Sequence, residues 1–581
     1  MSQSTEPSAP ANNSITDLGE RDDIPIEPYG WSWPAVAAPA IAIDPGLPRD
    51  DIVSALQAEQ ERAMAYILRL NYRLNWEVKV NKLPDDVLVI IFSALVEECV
   101  RNGEYYRWLH AVTTCRRWMH LALHSPTLWT KIDAAKLDCA YAFARRSQNL
   151  PLDVKFRSPN PEVEHHPMMK PLANFLNLVG DRIRKLDLAV TRYNLDDLEP
   201  SITTTFPKLE CFVLDRIFTD EAHILTEEGG VILLDQLVPY HPLHTISLNN
   251  VAMPWASSCF SNLVVLRVSY DYAQPITVDG IHPSFSRFME ILALSPRLHD
   301  LIIENINPFL ATQTAAQTVE LLSLRKLTLQ GDSLSVKLLL SHIITPPTAS
   351  ISLIYDMNDL EDVVLPPNAL AGLKILSTIT KANMAFPVNS ATKKPTITGY
   401  SPSGETFQLC ILLLGTPLLY FDLGTLGSML GNTLNELTLR VPFHPVRHSR
   451  WHMGLRGLPR LSRLRIIDDC VKLEFKRTAD FLQAFATSPD GSDAAFLPNL
   501  THLELVGFMI SHRFNGLLLH GLKARAELGA PKLKVLKIES PEWADDVTED
   551  DPYSWPNLED YVYEFIVPDY YPRTIRQDGE Y

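Results

Sequence analysis

Glycine is scarce in this sequence, and so are the motifs that depend on it. Only 24 of the 581 residues are glycine, and no G-x-x-x-x-G-K-[S/T], G-x-G-x-x-G or G-x-S-x-G is present. Loops that cradle phosphate groups and turns that expose a nucleophilic serine need glycine at such spacings. The metalloprotease pattern H-E-x-x-H is missing as well. We therefore expect a protein that is not an enzyme and carries no cofactor.

Cysteine and metal-ligand clusters are also lacking. The seven cysteines are scattered, form no C-x-x-C pair and are odd in number. Disulfide frameworks and zinc sites need paired or clustered cysteines, so we expect free thiols in a reducing compartment, the cytoplasm or the nucleus. His444, His448 and His452 stand at four-residue steps, but Pro442 and Pro445 interrupt the helix that would align them. The sequence thus predicts no metal site.

Positive charge and long apolar runs are in short supply. Lysine and arginine number 52 against 69 acidic residues, so the formal net charge is −17. A general nucleic-acid binder needs a basic surface to displace counterions from phosphate. The most apolar run, 409–421, is interrupted by Gly415 and Pro417, and a bilayer span needs about 20 apolar residues. Residues 1–22 lack the apolar core of a signal peptide. We expect neither nucleic-acid binding nor membrane insertion.

The N-terminal part of the chain changes character near residue 50. Residues 1–48 are rich in proline, serine, alanine and asparagine, which predicts a disordered leader, and 568–581 are predicted to be a flexible tail. Residues 50–76 carry an apolar stripe typical of an amphipathic helix. Its members are Ile52, Leu56, Ala63, Ile67, Leu70 and Leu74. Such a stripe can pack on the next domain or form the seam of a coiled-coil dimer.

A second helical region follows and contains three separated motifs. The first is Leu83-Pro84-Asp85-Asp86-Val87-Leu88, followed by Ile91 and Phe92. Proline and acidic residues suit the first turn of a helix, where backbone N–H groups are unpaired and the helix dipole is positive. The second motif is Val112-x-x-Cys115-Arg116-Arg117-Trp118, and the third is Ser125-Pro126-x-Leu128-Trp129.

In this order and within about 50 residues, the three motifs resemble the F-box, and in particular the large fungal F-box family. The resemblance implies a three-helix F-box at 79–132. One departure is the connection 97–107, which is longer and more polar than the tight link typical of the family. We interpret it as a surface insertion.

The resemblance also implies a partner and a binding surface. F-box proteins bind a Skp-type adaptor, and through it a cullin, with the leucine–proline turn, the first helix, the second helix and the terminal tryptophan. The matching positions in this chain are Leu83, Pro84, Leu88, Ile91, Phe92, Val112, Trp118 and Trp129. Several of them could instead be internal core, because aromatic and aliphatic anchors serve both roles.

Beyond the F-box, an apolar-x-x-apolar-x-apolar pattern recurs. It begins at Ile183 and returns at Leu209, Leu243, Leu263, Leu298, Leu324, Leu434, Leu461, Leu500, Leu533 and, weakly, Leu558. Most spacings are those of leucine-rich repeats and their longer relatives. One strand cannot bury such leucines alone, whereas stacked units form a continuous core beside a parallel sheet. We predict an α/β solenoid, an irregular leucine-rich-repeat-like domain over 133–567. An ordinary α/β domain with leucine-rich strands is the alternative.

Residues between the apolar positions of a strand point to the opposite face of the sheet. Polar side chains of both charge signs occupy these positions, which suits a protein segment of complementary charge. The predicted target-binding residues are Lys185, Asp187, Glu304, Arg440, Arg463, Arg465, Glu504 and Glu539. A plainly solvated sheet face is the alternative.

Together these patterns predict the substrate-recognition subunit of a Skp–cullin–F-box ubiquitin ligase. The F-box would bind the adaptor, and the repeat domain would hold a target protein whose identity the sequence does not specify. A ligase-independent interaction scaffold is the competing hypothesis. An enzyme would need a pocket with converging titratable groups, and the sequence offers no such cluster.

Overall fold

The fold is described from a computed structural model of the full chain. The described residues are 48–158, 167–217, 243–251, 255, 258–270, 283–305, 317–357, 365–385, 396–413, 423–441, 448–468, 476–486, 495–539, 542–543 and 558–567. The predicted leader (except residue 48), the predicted tail and His444 lie outside them. The chain divides into two compact units, one of residues 1–88 with 113–118 and one of 89–112 with 119–581.

The N-terminal elements are helices and two 3₁₀ turns. Helix α1 spans Arg49–Glu77 and is followed by a 3₁₀ turn at Lys79–Lys82. Helix α2 spans Asp85–Arg101, α3 spans Trp108–Val112 and α4 spans Arg116–Leu123. A second 3₁₀ turn at Pro126–Trp129 closes the region.

Ten further helices lie in the described parts of the rest of the chain. They are α5 (Leu137–Arg146), α6 (Met169–Val179), α7 (Arg192–Leu198), α8 (Phe285–Ala293), α9 (Ser333–Leu340), α10 (Pro367–Gly372), α11 (Leu423–Leu430), α12 (His448–Arg456), α13 (Lys476–Ala486) and α14 (His512–Glu527). Several begin at a short polar side chain that accepts the backbone N–H three residues on, which satisfies a donor left unpaired at the helix start. Examples are Thr191, Ser284, Asp332 and Ser511.

The strands are short, and most belong to one sheet. They are β1 (Lys131–Asp133), β2 (Leu152–Arg157), β3 (Ile183–Val190), β4 (Cys211–Arg216), β5 (Thr245–Asn249), β6 (Val265–Ser269), β7 (Asp300–Glu304), β8 (Val319–Glu320), β9 (Lys326–Asp332), β10 (Ile343–Ile344), β11 (Ser350–Met357), β12 (Lys381–Ala385), β13 (Thr396–Tyr400), β14 (Thr406–Leu413), β15 (Glu436–Val441), β16 (Arg463–Asp468), β17 (His502–Val506), β18 (Met509–Ile510), β19 (Leu533–Glu539), β20 (Glu542–Trp543) and β21 (Val562–Ile566). Seventeen of them form the large sheet, and β8–β10 and β18–β20 form two-stranded sheets.

The large sheet is mainly parallel, and its neighbours mostly follow chain order. Strands β1 to β7, β9 and β11 pair in sequence, as do β15, β16, β17, β19 and β21. Strands that follow one another in the chain therefore mostly lie side by side in the sheet, as they would in stacked repeats. The predicted parallel sheet is confirmed, whereas the solenoid and leucine-rich-repeat assignment stays a prediction.

The core lies on one face of this sheet. Burial alternates along the strands, for example in β4 and β17, because successive side chains point to opposite faces. Every leading residue of the recurring apolar pattern, from Ile183 to Leu558, is buried. The opposite face is half-exposed, and we call it the outward face.

The middle of the sheet departs from simple stacking. Strand β11 pairs with β14, so the spatial order is β11, β14, β13, β12, β15. Strand β13 runs antiparallel to both β12 and β14. This is the stretch where the recurring pattern lapses.

Helices α11 and α12 meet at glycine. A Cβ atom on Gly427 would lie 2.9 Å from the Gly457 Cα, and one on Gly431 would lie 2.3 Å from the Gly457 oxygen. Real side chains do not approach backbone this closely. These glycines therefore permit the two helices to pack.

The F-box helices also differ from the predicted bounds. Helix α2 continues to Arg101, so the predicted 97–107 connection shortens to 102–107. The region of the second motif forms two short helices, α3 and α4, separated at 113–115. The third predicted helix is the 3₁₀ turn at Pro126–Trp129.

Candidate adaptor-binding site and outward sheet face

The leucine–proline motif sits where α2 begins. Pro84 directly precedes the helix, and its carbonyl accepts the Leu88 N–H at 3.1 Å. Asp85 and Asp86 occupy the first turn, where a negative charge is favourable beside the positive end of the helix dipole. The sequence therefore presents Pro84 at an exposed helix start.

Arg117 holds this turn in place. Its guanidinium donates to the Leu83 carbonyl oxygen at 2.8 Å, to the Asn81 carbonyl oxygen and to the Asp85 carboxylate at 2.5 Å. Arginine suits the task because its planar group donates in several directions at once. The arginine–tryptophan motif thus contains a positioning residue for the leucine–proline turn. Neither the spacing nor the charge of Arg117 distinguished it from Arg116 in the sequence.

The structure divides the eight predicted adaptor contacts by exposure. Leu88, Phe92, Val112 and Trp129 are buried within the chain. Leu83 and Trp118 are half-buried, and Pro84 and Ile91 are exposed. The adaptor role of all eight stays a prediction, but only the exposed and half-buried ones offer surface to a partner without rearrangement.

Helix α2 has two apolar faces, which the sequence alone did not distinguish. Leu88, Phe92, Val96 and Cys99 form the buried stripe. Val87, Ile90, Ile91 and Ala94 fall at steps of three, four and seven residues and form a stripe that is half-buried at its start and exposed beyond. Ile90 is 67% exposed and Ile91 43% exposed. An apolar helix face left open to water indicates an interaction surface.

Trp129 belongs to an aromatic cluster in the second unit. Its ring packs edge-on against Trp108 at 5.0 Å and against Phe143 at 4.8 Å. The indole N–H donates to the Ala122 carbonyl oxygen at 2.7 Å, and the Arg146 guanidinium lies over the ring at 4.5 Å. Trp129 is therefore a core residue with its polar group satisfied.

The connection after α2 is anchored by two tyrosines. Tyr106 donates its hydroxyl to the Asp133 carbonyl oxygen, and its ring packs edge-on against Phe143 at 5.3 Å. Tyr105 lies 5.9 Å from the Lys155 ammonium on β2. Burial and the nearby carboxylates of Asp187, Asp133 and Asp153 raise the Tyr105 pKa to about 12. The connection 102–107, where the chain departs from the family pattern, thus links the helical segment to the first strands.

The first unit contains a cleft of about 450 Å³ beside the end of α1. Its lining combines apolar, amide and hydroxyl side chains. The lining residues are Leu68, Asn71, Leu74, Asn75, Trp76, Asn81 and Thr113 through Arg117. Only the last turns of α1 take part, and most residues of the helix are exposed around its whole circumference.

The predicted target-binding residues lie on the outward face, but in separate places. Lys185 and Asp187 are on β3, Glu304 is on β7 and Arg440 is on β15. Burial raises the pKa of the Asp187 carboxyl, while Lys185 and Lys155 oppose this. The Ser269 hydroxyl donates to the Glu304 carboxylate at 2.9 Å. These four residues do not converge on one spot.

Three of the other four predicted residues, Arg465, Glu504 and Glu539, form an ion-pair network near the end of the sheet, and the fourth, Arg463, has a separate partner. The Arg465 guanidinium lies 2.8 Å from the Glu539 carboxylate and 3.4 Å from the Glu504 carboxylate. Arg463 approaches Glu436 at 4.0 Å. The Lys537 ammonium also pairs with Glu539, and both cations lower the Glu539 pKa. Charges that neutralise one another present little net field to a partner.

One row of residues across the middle of the outward face is uncharged. Strand register aligns one residue from each strand across the sheet, and six consecutive members carry only hydroxyl or amide groups. We call them the hydroxyl–amide segment: Thr328, Ser352, Gln408, Thr398, Asn383 and Thr438. Four of the six, Ser352, Gln408, Thr398 and Asn383, fall in the stretch where the recurring pattern lapses, so the sequence did not indicate them.

The described residues show neither a metal-binding cluster nor a membrane-spanning helix. No group of three or more histidine, cysteine or acidic side chains there is placed to hold a metal ion. No helix among those residues is both long and apolar enough to cross a membrane.

Comparison with known proteins supplies the assignment of the helical region. The family model described as F-box-like matches residues 80–135, which cover the leucine–proline turn, the arginine–tryptophan motif and the terminal tryptophan. No curated protein matches the chain. F-box domains bind Skp-type adaptors of ubiquitin ligases. This chain is an F-box protein, with its F-box-like domain at residues 80–135.

Proposed function

We propose that this protein is the substrate-recognition subunit of a Skp–cullin–F-box ubiquitin ligase in the cytoplasm or nucleus. The observation that carries the proposal is the exposed apolar stripe of α2 within the F-box-like domain. Ile90 and Ile91 are displayed on a helix whose other face is already buried. Burying such side chains in a partner stabilises a complex by about 1.5–3 kcal/mol each.

In this proposal the chain performs no chemistry itself. The adaptor and cullin bring the ubiquitin-charged enzyme near a target held by the sheet domain, and proximity accelerates the transfer. The hydroxyl–amide segment supplies hydrogen-bond donors and acceptors for a target segment.

The first experiment is co-purification with a Skp adaptor. A variant with Leu83→Ala, Pro84→Ala and Trp118→Ala removes half-buried and exposed members of the predicted contact set. We expect the adaptor to be lost from this variant and kept by Leu322→Ala, a change at an exposed leucine far along the chain. Retention of the adaptor by the triple variant would show that the interface is elsewhere.

The second candidate function is a ligase-independent scaffold. The burial of Leu88, Phe92, Val112 and Trp129 favours it, because much of the F-box apolar surface is already satisfied within the chain. The two functions differ in one observable. A ligase subunit co-purifies with a cullin and accumulates target protein when the proteasome is blocked, whereas a scaffold does neither.

A further inference from the structure

Helix α1 carries a concentration of exposed apolar side chains that the F-box assignment does not explain. Ten large apolar residues between 53 and 78 are exposed. An isolated helix of this kind is marginal in water, since most helical stability in proteins comes from packing of an apolar face. The helix therefore needs a partner along its length.

The apolar residues follow a heptad pattern. With Val53 at the first core position, the a and d positions along α1 hold no charged residue before Glu77. In order they are Val53, Leu56, Gln60, Ala63, Ile67, Leu70 and Leu74. Such a seam of about three to four heptads is the pattern that winds one helix around another.

We propose that α1 forms an antiparallel coiled coil with α1 of a second copy of this chain. The argument for a second copy is that the flanking charges are self-complementary. Glu59 and Arg73 both lie at the g position, equally spaced on either side of Tyr66. When two helices pair head to tail about Tyr66, each Glu59 faces an Arg73 of the other helix, so the charges match twice.

The same register matches residue sizes in the core. In the core of an antiparallel pair, each d residue faces an a residue of the other helix. The register therefore places the small Ala63 opposite Ile67 and Leu56 opposite Leu74, so that large side chains fill the space beside small ones. A parallel pairing would instead set Ala63 against Ala63 and leave Glu59 opposite Met64. Head-to-tail pairing also sends the chain that follows Glu77 to opposite ends of the coil.

The available surface is sufficient for a dimer. Seven large side chains on or beside the seam are 42–67% exposed. Covering them would bury roughly 600 Å² on each helix, so the total reaches about 1,200 Å², the lower bound of specific interfaces. The expected dimer is therefore of modest affinity and dissociates on dilution. The seven are Val53, Leu56, Met64, Tyr66, Ile67, Leu70 and Leu74.

The test is the molar mass of the full-length chain by light scattering across a dilution series. We expect a mass twice that of the chain at high concentration, and a monomer for the Ile67→Glu/Leu70→Glu variant, because it places charge in the seam. Leu68→Glu is the matched control, since Leu68 is as exposed as its neighbours but lies off the seam. A wild-type chain that is monomeric throughout, or equal disruption by Leu68→Glu, overturns the proposal.

A charge-reversal cycle tests the antiparallel register without altering the core. Glu59→Arg and Arg73→Glu each set like charges opposite one another and should each raise the dimer dissociation constant several-fold. The double variant restores opposite charges and should return to the wild-type value. If the dissociation constant of the double variant shows the combined effect of the two single changes, the proposed register is wrong.

Discussion

The helical N-terminal region and the sheet domain differ in how many of their large apolar side chains are exposed. Among the described residues, thirteen of the 21 exposed large apolar side chains lie between 53 and 119. The much longer sheet region contributes eight, and they are scattered. In the sheet region the apolar residues complete a core. In the N-terminal region they remain at the surface, where only a partner can cover them.

Apolar residues therefore have two roles in this protein: they form a core in the sheet domain and exposed surface in the N-terminal region. In the sheet domain, polar groups of the outward face are the ones available for recognition, and many of the charged ones are already paired. In the F-box and α1, the large side chains that are exposed to a partner are mainly isoleucine and leucine. Substitutions of buried and of exposed apolar residues should therefore lower different quantities, the free energy of unfolding for the buried ones and the affinity for a partner for the exposed ones.

The largest expected effect is on Trp129, which the F-box resemblance predicts as an adaptor contact and the structure buries. Trp129→Ala should lower the free energy of unfolding by about 3–5 kcal/mol, because it empties the space between Trp108 and Phe143. Ile90→Ala should change it by less than about 0.5 kcal/mol. Denaturant unfolding measures both. A stable Trp129→Ala protein that has lost only adaptor affinity would break the comparison.

Arg117→Ala should weaken adaptor binding without touching the adaptor-facing apolar stripe. The change leaves the Asn81 and Leu83 carbonyl groups without their donor and frees the turn that presents Pro84. Hydrogen bonds to a charged group contribute about 1.5–3 kcal/mol, so we expect the dissociation constant to rise about tenfold or more. Arg116→Ala, at the exposed neighbouring arginine, is the control and should bind normally. Equal losses from both would point to charge rather than to the turn.

The glycine contact between α11 and α12 gives a paired test within the sheet domain. Gly427→Ala forces a Cβ atom into the Gly457 backbone and should cost about 1–3 kcal/mol of stability. Gly516→Ala, in the exposed face of α14 with open space around it, should stabilise the protein by about 0.5–1 kcal/mol. Thermal unfolding of the two variants should shift in opposite directions. Shifts of the same sign would contradict the close helix packing.

The smallest expected effect is the alkaline titration of Tyr105. The folded-state pKa of about 12 lies above the usual tyrosine pKa of 10.0, so the folded protein binds more protons between these values. Stability should therefore be intact below pH 10 and fall as the pH rises toward about 12. Tyr105→Phe should remove this part of the decline. The phenolate absorbance of wild type minus variant reports the titration, and a pKa near 10 would show that Tyr105 is not tethered to the strands.

The sequence supports the prediction of the F-box well because its motifs are local. The leucine–proline turn, the arginine–tryptophan pair and the terminal tryptophan identify the domain within a few residues of the matched range. Periodicity also identifies the buried leucines of the sheet, since each repeats at the same place in its strand. Both signals depend on residues that are near neighbours in the chain.

Other features depend on contacts that spacing does not encode. Both faces of α2 are apolar, and only the packed structure distinguishes the buried Phe92 from the exposed Ile90. The side chain of Arg117 reaches residues more than thirty positions away, which no local pattern specifies. The pairing of Arg465 with Glu539 and the position of the hydroxyl–amide segment depend on strand register across connections of irregular length.

The most direct test of the central claim is calorimetric titration of the full-length chain with a purified Skp adaptor. The wild type should bind, and Ile90→Glu/Ile91→Glu should lose at least about a hundredfold in affinity, because two charges would enter an apolar contact. Leu322→Glu, at a leucine 68% exposed against 67% for Ile90, should bind like the wild type. Unchanged binding by the Ile90→Glu/Ile91→Glu variant would contradict the assignment of the α2 stripe as the adaptor-binding surface.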